Sequence, residues 1–125
     1  MKTSELTEAA LDWAVAKALG LRVEFNHPYL EEKVFEGWWQ CGPYHWQPLC
    51  SYSTDWTQGG PIIEREFIEL TTTNRSNNEL WEALGRGFGE DCPTGYGPTP
   101  LIAAMRCYVA SKLGDEVEIP QQLIT

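Results

Sequence analysis

The sequence predicts an α+β fold. It reads as one small domain, residues 1–125, with two main helices at about residues 8–19 and 100–113 packed on a short, mainly antiparallel sheet with long aromatic-rich loops. Three observations carry this reading. Two segments repeat apolar residues with a helical period and have start and stop signals at their ends. Short runs between them alternate in the manner of strands. The rest is rich in Gly, Pro, Ser and aromatic residues. At 125 residues the chain fits one domain, and a domain of this size buries roughly two-thirds of its unfolded surface. No internal repeat is present.

Thr7 is placed to cap the first helix, with Glu8 in the first turn, where the helix dipole favours an acid. Leu6 and Leu11 form a hydrophobic staple, and Gly20 is the stop signal. Leu11, Ala14, Val15 and Ala18 make one apolar stripe, and Ala9, Trp13 and Ala16 a second. A helix apolar on two faces is sandwiched inside the domain or lies at a subunit contact, so a homodimer is one expectation. "LRVEF" at 21–25 suits a short strand, "NHPYLEEK" a loop, and "VFEGWWQC" at 34–41 a second strand. Residues 43–60 read as a long irregular segment anchored by Trp46, Tyr52 and Trp56. "PIIEREFIEL" at 61–70 reads as a strand with neither face purely apolar. "TTTNRSNN" is turn-like, "ELWEALGRG" a short helix from Glu79, and 85–98 a glycine-rich loop. Thr99 then caps the last helix, Pro100 takes its first position and Gly114 ends it. Leu101, Ala104, Met105 and Tyr108 form its core stripe, while Ala103, Arg106 and Ala110 lie on the far side. So little polar surface predicts a central, largely buried helix. "GDEVEIP" leaves it as a tail or short strand.

Nine basic against eighteen acidic residues give a net charge of −9. Most of such a surface repels a phosphate backbone, so general nucleic-acid binding is not expected. Solubility is the plain reading of the charge, and mimicry of an acidic partner such as DNA the sharper one. The N-terminal stretch is charged and interrupted, unlike a signal peptide, and no run approaches the roughly 20 apolar residues of a membrane helix. A cytosolic protein with reduced Cys41, Cys50, Cys92 and Cys107 is expected.

Chemistry-bearing patterns are sparse. Cys41, His45 and Cys50, with Cys92, could suggest zinc, but structural zinc sites use tight Cys pairs at two-residue spacing and none exists here. No metal or cofactor is expected. "GRGFGEDCPTGYGPTP" puts glycines before a helix start, where free N–H groups can hold an anion, but its spacing matches neither the P-loop nor the dinucleotide fingerprint. No nucleophile elbow surrounds a serine. Pairing of Cys50 or Cys92 with His27 or His45 would depend on the fold. Asp55, Glu64 and Glu66 could supply an acid/base pair.

"STDWTQGGPIIERE", residues 53–66, is the most loaded stretch. Ser53, Thr54 and Asp55 suit turn bonding, and Gly59-Gly60-Pro61 a sharp corner with positive φ before a strand. The corner does not require Trp56, Gln58, Glu64 or Arg65. An aromatic face with a few fixed polar groups is what a small-ligand pocket uses. The candidate ligand-binding residues are therefore Asp55, Trp56, Gln58, Glu64 and Arg65, with Trp13 or the loop before Pro100 closing the pocket.

"MKTSELTEAALDWAVAKALG", "STDWTQGGPIIERE" and "GPTPLIAAMRCYVASKLGDEVEIP" resemble the NinX-type proteins of lambdoid and P22-like temperate phages, small accessory proteins of the nin region. The blocks touch both ends and the centre of the chain. Residues 26–52 and 71–97 look family-variable, and nothing is carried over for them. The family supplies no catalytic residues. The resemblance implies a phage protein working in the host bacterial cytoplasm. The expectation is a non-enzymatic binding module for a small, nucleotide-like ligand, in this context one that sequesters a host defence signal. Two alternatives stand beside it. One is an acidic modulator that binds a host protein, and the other is a hydrolase or transferase using Asp55 and Glu64.

Overall fold

The structure is a computed structural model that describes residues 2–21, 23–24, 38–42, 45–48, 51–73, 80–85 and 93–119. A 3-10 turn at Thr3–Glu5 precedes helix α1, Glu8–Ala18. Strands β1 (Val23–Glu24), β2 (Trp38–Gly42) and β3 (His45–Pro48) form an antiparallel sheet in that order. Helix α2 spans Trp56–Arg65. Strands β4 (Ile68–Thr72), β5 (Trp81–Gly85) and β6 (Thr94–Gly97) form a second antiparallel sheet with β5 in the middle. Helix α3, Pro100–Leu113, closes the order. The α+β class and the two terminal helices are as the sequence predicts.

Helix α3 is the centre of the molecule. It lies on β5 and β6 on one side and meets α1 and α2 on the other. From Leu101 to Val109 only Ile102 is not buried. Its ends follow their local signals. Thr99 Oγ1 accepts from Ile102 N at 3.1 Å, Pro100 opens the helix, and Gly114 ends it at φ 84°. The far-side residue Arg106 is also buried, and its charge is turned to backbone: Nε donates to Leu6 O at 3.0 Å and Nη1 to Tyr96 O at 2.7 Å. These bonds tie the start of the chain and β6 to the central helix.

In α1, Leu6 and Leu11 are both fully buried, consistent with a staple. Thr7 sits at the N-cap but its side chain makes no capping bond. Ala16 of the second stripe is buried, and Trp13 is half-buried with Lys17 Nζ 5.1 Å from its ring centre. The segment after α3 folds back. Thr3 N donates to Asp115 O at 2.8 Å and Thr3 Oγ1 to Gly114 O at 2.6 Å, so the start of the chain is clamped to the end of α3. Val117 and Ile119 are buried there.

Several segments differ from the sequence reading. Residues 56–65 are helical, where a loop, a corner and the first half of a strand are expected, and the strand starts only at Ile68. Asp55 decides this. Its carboxylate accepts from Thr57 N at 2.9 Å and Thr57 Oγ1 at 2.7 Å and so caps a helix rather than a turn. Among the described glycines only Gly20 and Gly114 have positive φ, so Gly59 and Gly60 make no corner. Gly59 is needed for closeness instead. A Cβ there would collide with the Tyr52 carbonyl oxygen and meet Leu101 Cδ1 at 2.8 Å.

The second difference is "ELWEALGRG", whose described part is strand β5, not a helix. Bonding to strands on both sides outweighs the helical propensity of Trp-Glu-Ala-Leu, and Ala83 is buried beneath α3. The third is β6, set within a segment expected to be loop. Gly95 and Gly97 face α3, and a Cβ on Gly95 would collide with Ala103 O and reach Cys107 N at 2.6 Å. The glycines let strand and helix pack backbone to backbone. Part of the irregular segment 43–60 is likewise ordered, as β3 and the start of α2. The turn expected at 71–78 begins as strand, since Thr71 and Thr72 belong to β4, and its residues 74–78 lie outside the described residues, as do the expected loop at 26–33 and His27, Cys50 and Cys92.

Candidate functional site

The candidate site is the place where α2 and α3 begin side by side. The turn before α2 is held from three directions. Asp55 N donates to Ser51 O at 2.8 Å and Thr54 N to the same oxygen at 3.2 Å. The Gln58 side chain reaches back so that its Oε1 accepts from Ser51 N. From below, Asp12 of α1, itself buried, accepts from Ser53 N at 2.8 Å through Oδ1. Tyr52 and Ser53 are thereby buried, and Gly59 presses on the Tyr52 carbonyl.

A cleft of about 200 Å³ opens above this turn. Ser53, Thr54 and Trp56 form one wall, and Thr99, Leu101 and Ile102 the other. Ser53 is only 2% exposed, and among the described residues its Oγ has no hydrogen-bond partner. Trp56 is 51% exposed although it is the bulkiest residue at the cleft. The described lining residues carry an indole, two aliphatic side chains and three hydroxyls.

The predicted site residues divide. Trp56 lines the cleft, and the Thr99 end of the loop before Pro100 faces it. Asp55 stands beside the cleft, committed to Thr57. The Thr57 hydroxyl first, and its N–H second, hold the Asp55 carboxyl below its usual value of 3.8. Gln58 is engaged with Ser51. Glu64 and Arg65 lie at the far end of α2, nine and ten residues from Asp55, about 13–15 Å away at 1.5 Å per helical residue. There Arg65 Nε meets Glu66 Oε1 at 3.4 Å, and its charge also acts on the Tyr108 hydroxyl, which burial pushes up. Trp13 is on α1 beside Asp12 and does not line the cleft. Asp12 and Thr99 are the residues that a reading of 53–66 alone misses. Asp12 carried a signal, as an acid set between the two apolar stripes of α1.

A second cavity of about 200 Å³ lies between the 3-10 turn, β6 and α3. Of its polar lining residues, Thr3 and Arg106 are bonded to backbone carbonyls. Among the described residues no group of three or more His, Cys, Asp or Glu is placed to hold a metal ion. Cys41 and His45 sit on the neighbouring strands β2 and β3. Among the described residues no helix is long and apolar enough to cross a membrane.

No curated protein matches the chain. The family model described as bacteriophage P22 NinX matches residues 2–112. With α1, the central 53–66 block and all of α3 but its last residue inside that match, the chain belongs to the NinX family of phage proteins.

Proposed function

We propose that this NinX-family protein is a non-enzymatic binding module whose cleft at the start of α2 and α3 holds a small, nucleotide-like ligand. The observation that carries the reading is Ser53, a residue of the cleft wall whose hydroxyl is buried and, among the described residues, without a partner. Leaving such a group unpaired costs about 1–3 kcal/mol, which a ligand's donor or acceptor would recover. Trp56 supplies a flat apolar face beside it, and bases stack on tryptophan with about 1–3 kcal/mol per base. In a temperate phage, a module of this kind would sequester a host defence signal.

Isothermal titration against nucleosides and linear and cyclic nucleotides tests the reading. Binding by at least one member is expected, with a loss of about tenfold or more in Trp56→Ala, in keeping with that stacking energy. Folded protein that gives no heat with any of them would sink the proposal. The paired use of Asp55 and Glu64 as an acid/base couple draws no support from the geometry. Their separation of about 13 Å exceeds the roughly 5–9.5 Å over which two carboxylates share a reacting bond.

A second reading, docking of a host protein, is favoured by one separate feature. Phe67 is 75% exposed and sits at φ 53°, a left-handed conformation that a bulky side chain rarely adopts. A pull-down from host lysate that loses a stoichiometric partner on Phe67→Ala, with Trp56→Ala unaffected, would favour it.

A further inference from the structure

The cleft differs from the usual phosphate site in one respect. Two helices present their first turns to it, and such ends attract anions through unbonded N–H groups and the helix dipole. Here that attraction is largely spent. The α2 end carries the ionised Asp55 carboxylate, bonded to Thr57 and set in the chain between two cleft residues, Thr54 and Trp56. The α3 end carries Pro100, which has no N–H, and the Thr99 hydroxyl already takes the Ile102 N–H. Among the described residues no Lys or Arg lines the cleft. Arg65 is at the opposite end of α2, and the whole chain carries a net charge of −9. What its described lining residues carry is neutral: the indole of Trp56, the side chains of Leu101 and Ile102, and the hydroxyls of Ser53, Thr54 and Thr99, that of Ser53 being buried.

Size points the same way. A volume of about 200 Å³ is below the roughly 300–1,000 Å³ of pockets that enclose a drug-sized molecule. The cleft accepts one ring system with its polar substituents and leaves the rest of the ligand outside.

Resting on the reading of this cleft as a small-ligand site, we infer that it selects the nucleoside end of its ligand, an uncharged ring stacked on Trp56 and hydrogen-bonded to Ser53, and that a phosphate attached to that ligand adds nothing to binding. The indole face and the buried hydroxyl select the ring, and any phosphate is held in solvent near Asp55. Specificity then comes from the fit of donors and acceptors against Ser53 rather than from charge. A ligand that presents the wrong group leaves that hydroxyl unpaired, which is the strongest form of discrimination a small polar site has.

The test uses the full chain, titrated with adenosine, guanosine, cytidine and uridine and with the 5′-monophosphate of each, at low and at high salt. For the base that binds, the nucleoside is expected to bind at least as tightly as its monophosphate, and its affinity should be nearly independent of salt. The Asn side chain also caps helices, so Asp55→Asn keeps α2 and removes one charge. It should raise the affinity of the monophosphate relative to the nucleoside by about threefold, the size of a screened charge pair near a surface. A monophosphate that binds about tenfold or more tighter than its nucleoside, with affinity falling as salt rises, overturns the inference while leaving the cleft a ligand site. No binding by any of the eight overturns the inference together with the reading on which it rests.

Discussion

Gly59 and Asp55 both act on the first turns of α2. Gly59 lets the helix lie against the backbone of Tyr52, where no Cβ fits. Because the obstacle is a carbonyl oxygen rather than a flexible side chain, Gly59→Ala should cost about 1–3 kcal/mol, the range for overpacking a buried contact. Urea unfolding followed by tryptophan fluorescence would measure it. Asp55 sets a pH dependence of known sign. Its folded carboxyl titrates below the usual 3.8, so its contribution is complete above that value and is lost as the pH falls through the lower, folded one. Helicity followed by circular dichroism during acid titration should show a component in this window that is absent from Asp55→Asn. Residue chemistry at both positions was visible in the sequence, but their roles were not. An Asp before Trp-Thr serves an Asx-turn and a helix cap equally well, and only the direction of the following residues separates the two.

At the scale of the element, α2 is the least regular helix by composition. It contains two glycines and Pro61, whose missing N–H removes a bond from the helix interior. The helix persists because Gly59 and Ile62 are buried against the rest of the molecule. After Glu66 the chain leaves through Phe67 at φ 53°, and Phe67 N donates to Glu64 O at 3.4 Å. That is the place where helices commonly use glycine. With its side chain 75% exposed, Phe67 loses little packing on truncation. Phe67→Gly should therefore stabilise the protein by about 0.5–1 kcal/mol through relief of the left-handed strain, read as a higher urea midpoint with unchanged slope. The alternation in "PIIEREFIEL" hides this helix-to-strand break, because Ile-Ile-Glu-Arg fits one face of a helix as well as either face of a strand.

Across the whole molecule, α3 is the buried axis on which α1, α2, β4, β5 and β6 pack. The outer surface carries the acidic excess, with a net charge of −9 and an isoelectric point near 4.6. Repulsion between copies vanishes as that charge is titrated away, so solubility should pass through a minimum near pH 4.6, measurable by turbidity across a pH series.

By itself the sequence determined the two ends of this protein. The caps at Thr99 and Gly114, the staple of Leu6 and Leu11, and the long apolar stripes are local signals, complete within a few residues, and the NinX family was legible in the same blocks. Tertiary structure decided the middle. Whether Trp81 to Gly85 is a helix or a strand depended on finding a partner strand on each side, and whether Gly95 and Gly97 lie in a loop or a strand depended on the helix backbone they press against. The cleft belongs to the same class of facts. Ser53 and Trp56 stood together in the sequence, but Thr99 became their opposite wall, and Asp12 their support, only because α1, α2 and α3 pack together. A local pattern can specify a cap or a stripe, whereas a cavity is the space left between elements and has no local pattern of its own.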